Sequence, residues 1–356
     1  EKAGENREMN GKIIDLRSDT VTLPLPEMRE AIAGAALGDD ILGEDPTVHE
    51  LEERAAAMLG MEAGLLVISG TMANQVAVMT LTERGQEVIV GQDSHIYNLE
   101  TAGLSTLSQV QVRPLEVTDG TFDPERVERL IQAADVSDVQ RAETGLICLE
   151  NTYNLNEGQV ITPENTAQIR EVANQYGIPV YLDGARLFNA AVALGVEPAE
   201  LCKDVDAVQI CLTKGLGCPL GSILAGSKPF IAKARKIRQR LGGGMRQAGI
   251  VAAPGIFALE HMIQRLEDDH RHALKLARAV SAIDGLAVDP DDVQTNIVSP
   301  TIVKQGWDTD RLLEKLQEQG IKVKKIGRRT FRMVTHVHIS GEDIDRVIAV
   351  LRRLFQ

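Results

Sequence analysis

No apolar run in this chain approaches the ~18 residues that a membrane-spanning helix needs. The opening residues, Glu1-Lys-Ala-Gly-Glu-Asn-Arg-Glu, hold no hydrophobic signal core either, so the expected location is the cytoplasm. Cysteine is scarce. Cys148, Cys202, Cys211 and Cys218 lack the paired spacing of a zinc site, and in a chain of 356 residues they do not suggest a disulfide scaffold. Cys148 and Cys211 fall within apolar strand runs and read as inert core. Positive charge is also short, with 38 Lys and Arg against 51 Asp and Glu and a net charge of -13. Neither nucleic acid nor an anionic membrane would be attracted at long range. Internal repeats, low-complexity tracts and long linkers are missing as well.

What is present is globular: 44% hydrophobic and 25% charged residues. The length exceeds one ordinary core, which predicts a large domain with a smaller one appended. After a polar arm or remnant over 1–12, the pattern predicts helices over 26–36, 46–59 and 72–82. Short apolar strands are expected over 64–69, 87–91, 111–115, 144–149, 180–182, 207–212 and 222–225. Helical stretches between several of them imply an α/β fold with a mostly parallel sheet, whose active site sits at the carboxyl ends of the strands. Later the pattern becomes α+β, with helices over 248–282 and 309–319 and from 342, and strands over 296–303, 321–326 and 330–335. The large domain is placed at 13–259 and the small one at 260–356.

The chemistry concentrates at strand ends. Ala207-Val-Gln-Ile-Cys-Leu-Thr-Lys214-Gly-Leu-Gly217 delivers one lysine to the end of an apolar run, and Pro179-Val-Tyr-Leu-Asp183-Gly-Ala-Arg186 delivers an aspartate and an arginine. Pyridoxal phosphate needs such a set: an imine former, an anion for the pyridine nitrogen and a cation for a carboxylate. Each also has an ordinary reading, as a snorkelling lysine, a turn-capping aspartate or a surface arginine. Ser69-Gly70-Thr71-Met72-Ala73-Asn74 joins a strand to a helix N-terminus and could cradle a phosphate, or simply cap the helix. His95 follows the strand ending near Gly91, where an imidazole can stack on a cofactor or accept a proton. Glu150-Asn-Thr-Tyr153-Asn154 puts polar groups at another strand end. Arg246, after a triple glycine, is a candidate phosphate partner at a subunit interface. Arg332, inside an apolar run, requires an anion such as a substrate carboxylate.

The chain resembles the low-specificity L-threonine aldolases, enzymes of the β-eliminating-lyase group with the fold-type-I, aspartate-aminotransferase-like architecture. The resemblance runs from about Ile13 to the C-terminus. It rests on Asp15-Leu-Arg-Ser18-Asp-Thr-Val-Thr, Gly38-Asp-Asp, Gly43-Glu-Asp-Pro-Thr47, Ser69-Gly-Thr-Met-Ala-Asn74, Glu150-Asn-Thr152, Asp183-Gly-Ala-Arg186, Leu212-Thr-Lys-Gly-Leu-Gly217, Gly242-Gly-Gly-Met-Arg-Gln247 and Arg332-Met-Val-Thr-His336. It implies pyridoxal 5'-phosphate as cofactor and a homotetramer with sites shared across a dimer interface. It assigns Lys214 to the Schiff base, Asp183 to the ring nitrogen, Gly70 and Thr71 to the phosphate, and His95 to stacking. Ser18, Arg186 and Arg332 would bind the substrate carboxylate.

The expected reaction is retro-aldol cleavage of β-hydroxy-α-amino acids to glycine and an aldehyde. His95, directly or through water, is the first candidate base and Tyr153 the second, since a phenol near pKa ~10 needs strong depression to act at neutral pH. A β-eliminating lyase or transaminase is the same-cofactor alternative, and a cofactor-free binding protein the alternative of another class. Typical bacterial members carry Tyr-Gly-Glu/Asp-Asp and Glu-Asn-Thr-His-Asn where this chain has Leu42-Gly-Glu-Asp45 and Glu150-Asn-Thr-Tyr153-Asn154. Leu42 and Tyr153 would then border the β-substituent and change side-chain preference. No metal ligand set is expected.

Overall fold

The computed structural model describes residues 12–132 and 139–356. Chain contacts divide it into two compact units. The larger is Leu23–Gln264; the smaller combines the first described residues, through Thr22, with Arg265–Gln356. A two-residue strand, β1 (Ile14–Asp15), belongs to the smaller unit.

The larger unit is built on seven strands: β2 (Ala63–Val67), β3 (Glu87–Gly91), β4 (Gln111–Leu115), β5 (Thr144–Glu150), β6 (Val180–Asp183), β7 (Ala207–Cys211) and β8 (Ser222–Gly226). Their order in the sheet is β2-β8-β7-β6-β5-β3-β4. β4, β3, β5, β6 and β7 run parallel, while β8 is antiparallel to both β7 and β2. The mostly parallel expectation therefore holds with one reversed strand. Every residue of β5 is buried, as a central parallel strand covered on both faces requires. β4 lies at the edge, which is where its Pro114, lacking an N–H, can be tolerated.

The helices are α1 (Pro26–Ala33), α2 (Pro46–Met58), α3 (Gly70–Leu81), α4 (His95–Asn98), α5 (Pro124–Leu130), α6 (Pro163–Tyr176), α7 (Leu187–Leu194), α8 (Pro198–Cys202), α9 (Lys228–Arg240) and α10 (Gly249–His261). Their starts follow local chemistry: Asp45, Ser69, Thr162 and Ser227 each cap the helix that follows through a side-chain oxygen. The core between α3, α9 and the sheet includes Leu65, Val76, Val88, Leu146, Leu224 and Ile237. All four cysteines are free and buried, Cys148 and Cys211 within strands of the sheet, and burial pushes the Cys202 and Cys218 thiols up to about 12.

In the smaller unit, α11 (Leu266–Ser281), α12 (Thr309–Gln317) and α13 (Gly341–Phe355) accompany β9 (Leu286–Ala287), β10 (Ile297–Val298), β11 (Thr301–Ile302), β12 (Ile321–Lys322), β13 (Lys324–Lys325) and β14 (Phe331–Val334). The single helix expected over 248–282 is two, α10 and α11. Three acidic residues, Glu267, Asp268 and Asp269, favour a fresh N-terminus at the start of α11. The strand expected over 296–303 is likewise broken around Pro300, which cannot donate to a ladder. The division at 264/265 lies close to the expected 259/260, but the N-terminal segment does not stay with the larger unit. Ile14 pairs with Ile321, and Ile14 and Leu16 are both buried in the smaller unit's core. Among the described residues, no helix is long and apolar enough to cross a membrane.

Candidate active site

Parallel strands deliver their C-terminal ends to one edge of the sheet, and that edge collects the chemistry. Glu150 and Asp183 are the last residues of β5 and β6, Lys214 lies three positions beyond the end of β7, and His95 opens α4 after β3. β2 runs the same way as β7, so α3 also begins at this edge.

The start of α3 is suited to an anion. Ser69 Oγ accepts the Met72 N–H at 3.2 Å, leaving the N–H groups of Gly70 and Thr71 as the uncapped donors of the first turn. Gly70 is small for a packing reason as well: a Cβ there would lie 2.6 Å from Cys211 Sγ on β7. Gly70→Ala is expected to lower the stability of the cofactor-free protein by about 1–3 kcal/mol through overpacking. In denaturant melts Cys211→Ala should recover most of that loss; no recovery would refute the contact.

Asp183 is a buried carboxylate held by neutral donors. Oδ2 accepts from Asn74 Nδ2 at 2.8 Å, and Oδ1 from the Ala185 N–H at 3.1 Å and from Gln209 Nε2. Among the described residues no cation forms an ion pair with it. A buried anion with only amide donors still favours a cationic N–H partner, which a protonated pyridine ring provides. With Lys214 half-buried nearby and an open helix N-terminus, the donor set fits pyridoxal phosphate.

His95 and Glu150 are tuned by the same charges. Burial draws the His95 pKa down and the Lys214 charge adds to this. The hydrogen bond from Nδ1 to Glu100 (2.9 Å) and the charges of Asp183 and Glu100 outweigh both, so the imidazole sits above its ordinary value. Burial and the Asp183 charge push Glu150 up to about 7, against the N–H donors of Asn154 (2.8 Å) and His95 (2.6 Å) and the charge of His95. His95, Glu100 and Asp183 present ligand-type atoms within 4.8 Å of one another. The Asn74 amide, itself a donor, bridges the two carboxylates.

Arg186 is buried at the start of α7, and its Nη1 donates to Asn154 Oδ1 at 3.1 Å. Lys214, His95, Asp183, Arg186, Gly70 and Thr71 thus all belong to the larger unit. Ser18 and Arg332 belong to the smaller one, where Ser18 caps a short turn through the Thr20 N–H and Arg332 is a buried cation on β14. Leu42 is 67% exposed, and the Arg246 side chain, 65% exposed, pairs with Asp39 at 2.9 Å.

Tyr153 is 0% exposed, packs edge-on against Phe122 and accepts the Asp93 N–H at 3.2 Å. Burial, with the Glu150 charge, pushes the phenol further above its ordinary pKa, the wrong direction for a base. The missing side chain of Gly91 makes its room: a Cβ there would lie 2.1 Å from the hydroxyl. Tyr153→Phe should therefore leave kcat within about 3-fold and cost no more than about 1.5 kcal/mol of stability. A turnover number lowered by about two orders of magnitude or more, the scale of a lost general base, would return the phenol to the chemistry.

Four residues of this site were not singled out from the sequence: Glu100, Gln75, Gln209 and Tyr181. Gln209 left a signal, being the one amide in the apolar β7 run. Asn74 stood inside a recognised motif, but its role as a bridge was not legible there.

The profile of the beta-eliminating lyase family matches residues 15–302. The low-specificity L-threonine aldolase 1 of Arabidopsis thaliana is 40% identical over 343 residues, covering 96% of this chain and 96% of its own. The low specificity L-threonine aldolase of Escherichia coli K12 is 38% identical over 339 residues, covering 95% and 98%. In fold, the chain matches the solved threonine aldolase of Leishmania major with a TM-score of 0.80 at 19% identity, covering 96% of this chain and 100% of that one.

Proposed function

Since the chain belongs to the beta-eliminating lyase family, we propose that it cleaves β-hydroxy-α-amino acids such as L-threonine and L-allo-threonine to glycine and an aldehyde, and runs the reverse condensation. The observation that carries this reading is the buried Asp183 carboxylate, held by amides at the strand edge that also bears His95 and Lys214. The full-length similarity to L-threonine aldolases supports it.

Pyridoxal phosphate, when bound, supplies an electron sink for the pair released by the breaking Cα–Cβ bond. Lys214 would hold it covalently, Gly70 and Thr71 would hold its phosphate through their N–H groups, and Arg246 would reach a phosphate across a subunit interface. Asp183, fixed by Asn74 and Gln209, would keep a proton on the ring nitrogen. Arg186 binds the substrate carboxylate and so fixes which bond at Cα is weakened. His95 removes the β-hydroxyl proton through Nε2 as the aldehyde leaves.

A homotetramer with shared sites and a cytoplasmic location complete the reading. The exposed Leu37, Ile41, Leu42, Leu220 and Ile250 of the larger unit are consistent with a covered face. The test is product analysis with purified, cofactor-loaded enzyme. L-threonine should give glycine and acetaldehyde in equal amounts, whereas ammonia with an oxo acid would make the chain an eliminating lyase or a transaminase instead.

A further inference from the structure

Glu100 is an enclosed charge at the site, its side chain 0% exposed. Oε1 accepts from Asn74 Nδ2 at 2.7 Å and faces His95 Nδ1 at 2.9 Å, while Oε2 accepts from Gln75 Nε2 at 2.9 Å. Among the described residues its ion-pair partner is His95, with no lysine or arginine beside it. A carboxylate taken so far from water is costly unless its donors compensate it, and of these three only the imidazole can gain a proton.

The imidazole is fixed from two sides. Glu150 Oε2 holds the His95 backbone N–H at 2.6 Å, and Glu100 holds the ring. The Asn74 amide is itself anchored: Tyr181 donates its hydroxyl to Asn74 Oδ1 at 2.7 Å, so both hydrogens on Nδ2 remain for Glu100 and Asp183. The result is a continuous chain from the imidazole through Glu100 and Asn74 to the carboxylate that serves the ring nitrogen. His336, a buried histidine of the smaller unit, provides a contrast. Its Nε2 meets the Asp15 carbonyl oxygen at 2.8 Å and its Nδ1 accepts the His338 N–H at 3.3 Å, with no carboxylate hydrogen-bonded to the ring among the described residues, and burial draws its pKa down, whereas that of His95 is raised.

We propose that Glu100 is the positioning residue for His95: its buried carboxylate accepts the Nδ1–H of the imidazole and leaves Nε2 as the nitrogen that exchanges the substrate proton. This rests on the reading of His95 as the group that takes up the β-hydroxyl proton. Glu100 fixes the tautomer, holds the ring plane and makes Nε2 more basic, as carboxylate partners do for imidazoles elsewhere. The charges that act on His95 are Glu100 after α4, Glu150 on β5, Asp183 on β6 and Lys214 after β7. Glu100 is the one that touches the imidazole itself.

The test is Glu100→Gln, which keeps shape and removes charge, alongside Glu100→Asp, which keeps the charge. Histidine-labelled NMR titrations of cofactor-free and cofactor-loaded enzyme should show the His95 midpoint falling by about one unit or more in Glu100→Gln and recovering at least partly in Glu100→Asp. The kcat plateau should fall roughly 10–100-fold, its acid limb should move to lower pH, and KM should change by less than about 3-fold, since a group removed from the proton-transfer step alone affects kcat. A wild-type midpoint in Glu100→Gln, or a lost kcat with the midpoint unmoved, would overturn the proposal. If the variant does not fold, ¹⁵N spectra of the wild-type enzyme still decide. Neutral His95 should carry its proton on Nδ1, and a proton on Nε2 with Nδ1 bare rejects the arrangement. Failure to form glycine from threonine would sink the aldolase reading and leave the NMR result standing, whereas an unmoved midpoint would sink the Glu100 role and leave threonine cleavage intact.

Discussion

Replacing Lys214 by alanine is expected to reduce turnover by roughly 10³-fold or more, equivalent to at least about 4 kcal/mol of transition-state stabilisation, while leaving the fold in place. The reason lies in how the lysine is delivered. β7 is buried at every residue, so the strand fixes where its end falls, and the chain then turns tightly, with the Gly217 N–H bonded to the Lys214 carbonyl at 2.9 Å. Gly217 has φ of 78°, a conformation that side-chain-bearing residues rarely adopt, and the turn is thereby held. Lys214 itself is only half-buried, and its charge reaches His95. Truncating it removes the amine and the charge but no core packing, so cofactor-free stability should change by no more than about 0.5 kcal/mol. Two readouts separate the outcomes. The visible absorbance of protein-bound cofactor should disappear, and the His95 titration midpoint should rise, because a neighbouring positive charge that opposes its protonation has gone. Turnover near wild type with the absorbance retained would show that another lysine carries the cofactor.

The strands were legible because each is a short, apolar, β-branched run, and a parallel arrangement then places their ends together without further information. That is why Lys214, Asp183 and His95 could be read as one site from separate segments. What stayed hidden is what depends on partners distant in sequence. Glu100 looks like any acidic residue after a short helix until Asn74, Gln75 and His95 surround it. Tyr153 follows a strand end, and nothing near it in sequence shows that a glycine 62 positions earlier supplies the space its ring occupies. Ile14 and Leu16 carry no local indication that their partner strand begins at Ile321. Leu42 was matched by motif position, and no local pattern in the sequence fixes how far such a turn residue stands out into solvent. In each case the local chemistry was readable and the long-range pairing was not.

Asp183→Asn should lower kcat by about 10² or more, the loss typical when a preorganised charge opposite a developing one is neutralised. Two effects combine. The first is electrostatic: the anion proposed to keep the ring nitrogen protonated would be gone, so the sink for the bond's electron pair would weaken. The second is a hydrogen-bond conflict. The carboxylate accepts on both oxygens, from Asn74 on one and from Gln209 and the Ala185 N–H on the other. An asparagine has one accepting oxygen, so its NH₂ must face a donor on one side. Flipping Asn74 to relieve this would turn its Nδ2 toward the Tyr181 hydroxyl and take that donor from Glu100. A stability loss of about 1–3 kcal/mol follows from the unmatched buried donors, and it should persist in cofactor-free protein, whereas the electrostatic loss appears only in turnover. The pH behaviour gives an independent sign. The Asp183 charge helps raise both His95 and Glu150, the latter to about 7, so its removal should lower both midpoints and move the acid limb of kcat to lower pH. An unchanged kcat with unmoved His95 and Glu150 midpoints would mean that this carboxylate does not serve the ring nitrogen. A reduced kcat with a wild-type pH profile would assign the loss to disturbed packing alone.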